Sequence, residues 1–247
     1  MTAGQPSGHI RYGVSAEFYD LLQAEDDRRA AERRFTAAAR AARTGVLDAG
    51  AGTGIVTETL VKAAAAPVHA VEPSPAMRIA LLARLARLGA DERARVTLYP
   101  ETVGACGLRE AVDLAVASNL VATLPPAERR ATWRALAAAL VPGGLLLFDP
   151  PPVGVPDGEE SRELPPARLG TDVYAARLTR TPDRGTVAVR YDYRVERGGV
   201  VVREEHETFR LWPVEPAVLA EELAEAGLRP ADTPHPDLTA ARRPPHG

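Results

Sequence analysis

Between Val46 and Leu60 the chain reads VLDAGAGTGIVTETL, with glycines at 50, 52 and 54 separating an apolar run from a run of helical spacing. A glycine turn that feeds a strand into a helix constrains the fold strongly. The absent side chains permit left-handed backbone and close approach of another group, and the helix that follows begins with free N–H groups and a partial positive charge.

The same rhythm continues on the C-terminal side. GVLDA, PVHAVE, RVTLYP, VDLAVAS and LLLFDP read as strands, while GIVTETLVKAAA, SPAMRIALLARLARLG and PPAERRATWRALAAALV read as helices. Strands alternating with helices predict a parallel sheet covered by helices on both faces, and strands apolar along their whole length agree with two covered faces. Ser15 to Arg43 is alanine-rich with opposite charges at helical spacing and reads as one or two helices, with residues 1–14 flexible before them.

After Pro150 the texture changes. PPPVGVPDGEESRELPPARLG is proline-rich and reads as irregular. In TVAVRYDYRVE, Val187, Val189, Tyr191, Tyr193 and Val195 share one parity and Arg190, Asp192, Arg194 and Glu196 the other, the pattern of a half-buried antiparallel strand. RGGV turns it into VVVREEHETFRLW, and DVYAARLTR precedes it as a third strand. The expected organisation is an N-terminal helical lid segment over 1–44, a ligand-binding core over 45–150, an antiparallel insert over 151–205, a return to the core over 206–230, and a loose tail over 231–247. RPADTPHPDL after Leu228 has almost no apolar residues, so no further core strand is expected there.

The chain of 247 residues carries a net charge of −3 and 45% apolar residues, which suits a globular protein and gives no electrostatic case for nucleic acid or an anionic membrane. No apolar stretch approaches the roughly 20 residues of a membrane span, and the first residues lack the apolar core of a signal peptide. Cys106 is the single cysteine, so an internal disulfide is impossible and the cytoplasm is the expected compartment.

Three ligand readings compete for the glycine turn. A phosphate loop needs Lys and Ser or Thr after its last glycine, but Ile55 and Val56 stand there. A nicotinamide dinucleotide site needs G-x-G-x-x-G, and Ile55 occupies the third glycine position. Asp48 also stands just before the glycines, where it would repel a pyrophosphate and attract an ammonium group.

VLDAGAGTG resembles the first motif of the class I S-adenosylmethionine-dependent methyltransferases, an acid followed by G-x-G-x-G. Further pieces follow in the family's order: AVEPSPAM with Glu72, LYPETV with Glu101, VDLAVASNLVATLPP after the fourth strand, LVPGGLLLFD through the fifth, and FRLWPVEPAVLAEELAEAGL near the end. The resemblance covers roughly 46–148 and 208–229. It implies a Rossmann-like α/β fold with an antiparallel β insert as lid, and S-adenosylmethionine as cofactor, leaving S-adenosylhomocysteine. The residues it places at the cofactor are Asp48, Gly50, Ala51, Gly52, Gly54, Glu72, Pro73, Met77, Glu101, Thr102, Ser118, Asn119 and Tyr19, with no metal. Glu72 is expected to accept both ribose hydroxyls and Glu101 the adenine amino group.

The implied reaction is methyl transfer by in-line displacement to N or O, less so C, of a small molecule in secondary metabolism, including antibiotic biosynthesis. No NPPY-type motif follows the fourth strand, which argues against macromolecular amines as acceptors. Positioning an already activated methyl supplies on the order of 7–11 kcal/mol, so a dedicated catalytic residue is optional. Candidates are Tyr12 and Tyr19 on the lid segment and His206 as base; His69 reads as structural, and His9, His235 and His246 lie near the chain ends. The remaining readings are a nicotinamide oxidoreductase and a methyltransferase fold with a non-methylating or scaffolding role. The apolar face of the insert is expected either to form a homodimer or to cover the chain's own acceptor pocket.

Overall fold

The computed structural model describes residues 12–245. His9, His246 and most of the segment read as flexible lie outside the described residues. The chain begins with α1 (Ser15–Ala41), followed by β1 (Val46–Ala49), α2 (Ile55–Ala63), β2 (Val68–Val71), α3 (Pro75–Leu85), the short α4 (Ala90–Arg93), β3 (Val96–Tyr99) and β4 (Val112–Ala117). Next come a 3-10 turn (Val121–Thr123), α5 (Pro126–Ala139) and β5 (Leu140–Phe148). The insert holds β6 (Glu160–Glu163), β7 (Ala167–Leu169), β8 (Asp172–Asp183), β9 (Thr186–Arg197) and β10 (Val200–Leu211). The chain closes with α6 (Pro216–Glu225), β11 (Arg229–Pro230) and β12 (Thr239–Arg242).

The main sheet runs in the order β11-β12-β5-β4-β1-β2-β3, and its five strands from β5 to β3 are parallel. Strand order reverses between β4 and β1, which opens a crevice at their carboxyl ends. One face packs under α5 and α6 through Trp133, Leu136, Leu219 and Leu223. The other packs under α1, α2 and α3 through Phe35, Leu60 and Leu81.

Four expectations need correction. The tail is not loose: Thr239–Arg242 pairs antiparallel with Phe148–Leu145 of β5 and adds a strand that the sequence reading lacked. Ala240 and Ala241 are its buried residues, and alanine carries too little apolar signal to mark a strand. The boundary at 205/206 does not exist, because β10 runs through it without a break. The stretch read as irregular also contributes β6 and β7, two short edge strands on β8. The segment 1–44 differs from a simple lid as well, since Ala31, Phe35 and Ala39 of α1 belong to the main core.

In the insert, the parity read from the sequence holds. Tyr193 and Val195 pack on Phe18 and Leu22 of α1, and Val187 and Val189 pack on Leu178, Phe209 and Leu211. Most of the apolar face is therefore covered by the chain itself, with Tyr191 and Phe209 left partly buried.

Candidate active site

The glycine turn sits at the crevice where the strand order reverses. Gly50, Gly52 and Gly54 all have positive φ, at 76°, 57° and 87°. The N–H groups of Gly50 and Ala51 both donate to the carbonyl of Val71, each at 2.9 Å, which fixes the turn onto β2. A Cβ on Gly54 would lie 2.5 Å from Leu81 Cδ1, so helix packing demands glycine there. A Cβ on Gly52 would meet nothing within 4 Å, so this residue borders open space.

Glu72, at the end of β2, is buried and accepts from Gly52 N at 2.8 Å and Ser74 N at 2.7 Å, one bond to each oxygen. Burial pushes its carboxyl above the usual value against the pull of those two amides. Each oxygen retains accepting capacity, so the carboxylate is held in place and can still take hydroxyl donors. Ser74 caps α3 by accepting from Met77 N, and Pro73 offers its carbonyl to Arg78.

Asp48 lies under the turn, 1% exposed, and accepts from Thr57 Oγ1 at 2.6 Å. Burial raises its pKa to about 7, with the Thr57 hydroxyl opposing and the Glu72 charge adding. The folded protein thus holds this proton to about pH 7, whereas the unfolded chain releases it near 3.8. Between those values the native state binds more protons, so Asp48 lowers stability as pH rises, by at most about 1.4 kcal/mol per pH unit. Urea unfolding across that window should show Asp48→Asn falling less steeply than the parent. Parallel curves would contradict the assignment.

Thr53, between Gly52 and Gly54, was missed by sequence reasoning. Its hydroxyl oxygen is buried and has no hydrogen-bond partner, an orphaned polar group at the edge of the cradle. Its carbonyl accepts from Arg84 Nε at 3.0 Å, and Arg84 also pairs with Glu58 at 3.1 Å and Asp20 at 2.5 Å. Arg84 therefore ties α1, α2 and the glycine turn together. No sequence motif marks it, because the three partners meet only in the fold.

The other strand ends meet the same crevice. Glu101 and Thr102 follow β3 and are exposed. Ser118 and Asn119 follow β4, where Asn119 takes a positive φ of 55°. Asn119 N donates to Asp149 at 2.8 Å, Asp149 also pairs with Arg34 of α1, and Leu120 covers Gly50. Trp212 N donates to Ala122 O at 2.7 Å, tying the end of β10 to the same tip.

Tyr12 and Tyr19 lie on the inner side of the insert. Tyr12 stacks on Phe209 at 4.9 Å, and Tyr19 donates to Asp27 at 2.7 Å. Burial, then the Asp27 charge, raise the Tyr19 pKa well above its ordinary value, so it stays a phenol.

His206 does not join them. It pairs with Asp192 in the strand register and faces outward, into a hollow of about 460 Å³ lined by Arg190, Asp192 and Arg194. A bulge between Val201 and Arg203 adds one residue to β10 and reverses the parity beyond it. The inner positions fall to Glu205 and Glu207, opposite Tyr193 and Tyr191. His206 is thus corrected from candidate base to a residue on the far face. His69 is half-buried in β2 with Nδ1 3.1 Å from the Tyr99 hydroxyl, and His235 lies in the turn before β12. Among the described residues no cluster of His, Cys, Asp and Glu could hold a metal, and no helix is long and apolar enough to cross a membrane.

The comparisons agree with this geometry. Residues 47–146 match the family described as a methyltransferase domain. No curated protein matches the sequence. Several solved structures share the fold over nearly the whole chain. CalS10, an amino pentose methyltransferase from Micromonospora echinaspora involved in calicheamicin biosynthesis, was solved with S-adenosylmethionine bound. It is 21% identical, with a TM-score of 0.69, covering 98% of this chain and all of its own. The sugar N-methyltransferase KedS8 from a Streptoalloteichus species is 23% identical over 99% of both chains, at a TM-score of 0.70. DesVI from Streptomyces venezuelae is 20% identical over 93% of this chain and 98% of its own, at 0.75. The crevice and the glycine turn fall within the segment that matches the methyltransferase-domain family, and the chain as a whole shares the fold of these solved methyltransferases.

Proposed function

We propose that the protein transfers a methyl group from S-adenosylmethionine to a nitrogen or oxygen of a small-molecule acceptor in secondary metabolism, within antibiotic biosynthesis. The observation that carries this reading is the Gly52–Glu72 pair: a glycine with open space before it donates to a buried carboxylate that keeps free accepting capacity. Glu72 would hold the ribose hydroxyls, and the orphaned Thr53 hydroxyl and the open side of the turn at Gly52 would face the amino-acid portion, above Asp48. Pro73, Met77, Glu101 and Thr102 would border the adenine, and Ser118 and Asn119 the region of the methyl.

The bound cofactor supplies a methyl already activated on a sulfonium. The chain's own task is then to orient the acceptor and exclude water. Nitrogen is the favoured acceptor atom and a sugar the favoured acceptor class, a reading supported by the naming of KedS8 as a sugar N-methyltransferase and CalS10 as an amino pentose methyltransferase. The lone half-buried cysteine and the lack of a disulfide support work in a reducing compartment, the cytoplasm.

Calorimetric titration with S-adenosylhomocysteine tests the cofactor half. Saturable binding is expected, and no heat up to millimolar ligand removes the proposal.

A further inference from the structure

Helix α1 carries six acids, and five of them are neutralised by arginine. Glu17 pairs with Arg203, Asp20 with Arg84, Glu25 with Arg28 and Arg29, Asp26 with Arg29, and Glu32 with Arg28. Asp27 is the sixth, and among the described residues no cation pairs with it. Its Oδ2 accepts from the Tyr19 hydroxyl at 2.7 Å, which leaves Oδ1 with accepting capacity among the described residues.

The nearest candidate cation is committed elsewhere. Arg34 lies seven residues further along the same stripe of α1 and its charge reaches Asp27, but its Nη2 pairs with Asp149 at the tip of β5 and its Nε has no partner. Asp149 takes a second bond from Asn119 N, so that pairing is fixed from two sides.

An aromatic cluster on the insert begins close to Asp27. Tyr191 of β9 lies within electrostatic reach of it, Tyr191 meets Phe209 edge-on at 5.9 Å, and Phe209 stacks on Tyr12 at 4.9 Å. An unpaired carboxylate next to π faces is a setting for an organic cation, because the cluster attracts positive charge while shedding water. The groups surrounding Asp27 are Tyr19, Asp26 and Arg34 from α1, Asp149 from β5 and Tyr191 from β9.

We propose that Asp27, with Tyr19 and the cluster of Tyr12, Tyr191 and Phe209, receives the protonated amino group of the acceptor. The inference rests on the methyltransferase reading above and adds the residue that selects an amine over an alcohol. Asp27 Oδ1 binds the ammonium and accepts one proton from it: an N–H bond breaks, an O–H bond forms, and the nitrogen is left with its lone pair. Burial is the main influence on the Asp27 carboxyl and raises its pKa, which makes it the better base. Tyr19, held as a phenol, keeps the carboxylate oriented through Oδ2.

Cyclohexylamine and cyclohexanol serve as a matched pair of probes, with binding measured by ligand-detected NMR and calorimetry, both with and without saturating S-adenosylhomocysteine. The parent protein should prefer the amine by about tenfold or more, the scale of a charged hydrogen bond. Asp27→Asn should lose that preference while binding cyclohexanol and S-adenosylhomocysteine as before, and Asp27→Glu should recover part of it. Equal or absent binding of the amine by the parent protein overturns the proposal, as does a preference retained by Asp27→Asn. Loss of S-adenosylhomocysteine binding with the amine preference intact would instead strike the cofactor reading. Thermal melting of each variant separates a binding defect from a folding one.

Discussion

Glu72→Ala should weaken S-adenosylhomocysteine binding by on the order of 10²- to 10⁴-fold. The carboxylate is buried, held by two backbone amides, and one of those amides belongs to a glycine that borders open space. Two hydroxyl bonds to a charge are together worth on the order of 3–6 kcal/mol. The substitution does a second thing. It leaves Gly52 N and Ser74 N without their acceptors, and Gly52 N is part of the left-handed turn, so the cradle loses its shape as well as its charge. Glu72→Gln, which keeps one acceptor oxygen, should fall between the two. Titration calorimetry on folded protein reads both effects, and a loss smaller than threefold in the alanine variant would refute the assigned role.

The largest effect on stability is expected away from the site, at Glu222 of α6. It is 2% exposed and accepts from Arg129 Nε and Nη2, each at 2.8 Å, and from Trp133 Nε1 at 3.2 Å. Arg129 is 3% exposed. Glu222→Ala therefore leaves a guanidinium buried without a counter-charge, a change that costs about 3–5 kcal/mol. For a domain of this size that lowers the melting temperature by roughly 10 °C. Replacing both partners by apolar residues, Arg129→Met with Glu222→Leu, should recover most of the loss, because no charge is then stranded. A single variant that melts within 2 °C of the parent would show that water reaches Arg129.

The two kinds of information in the sequence were legible to different degrees. The parallel core could be read because β1, β2, β4 and the end of β5 are short, mostly apolar runs, each with no more than one polar residue, and the turns between them carry glycine or proline. The carboxylate at the end of β2 came from the resemblance of AVEPSPAM to the second motif of the methyltransferase family. β12 could not be read this way: its buried residues are two alanines, and its place is set by pairing with β5 rather than by its own pattern. His206 illustrates a second limit. Continuing the hairpin from Arg197 and Val200 without interruption would set His206 opposite Tyr191, on the inner face. The extra residue at the bulge moves it to the outer face and puts Glu207 there instead. Nothing in VVVREEHETF announces a bulge, because β-branched residues suit either register. Arg84, Arg34 and Asp27 lie beyond the reach of motif reading for another reason: their importance depends on which acid each arginine chooses, a choice made across distant segments.

The double membership of α1 limits how the enzyme can breathe. Phe18 and Leu22 at one end roof the insert, while Phe35 and Ala39 at the other are fully buried beneath the parallel sheet's helices. Swinging the whole rod outward would expose Phe35, a penalty of about 2–3 kcal/mol before any other contact breaks. Any opening over the crevice therefore falls to the insert's own hairpins, with the rod acting as a fixed post against which they close.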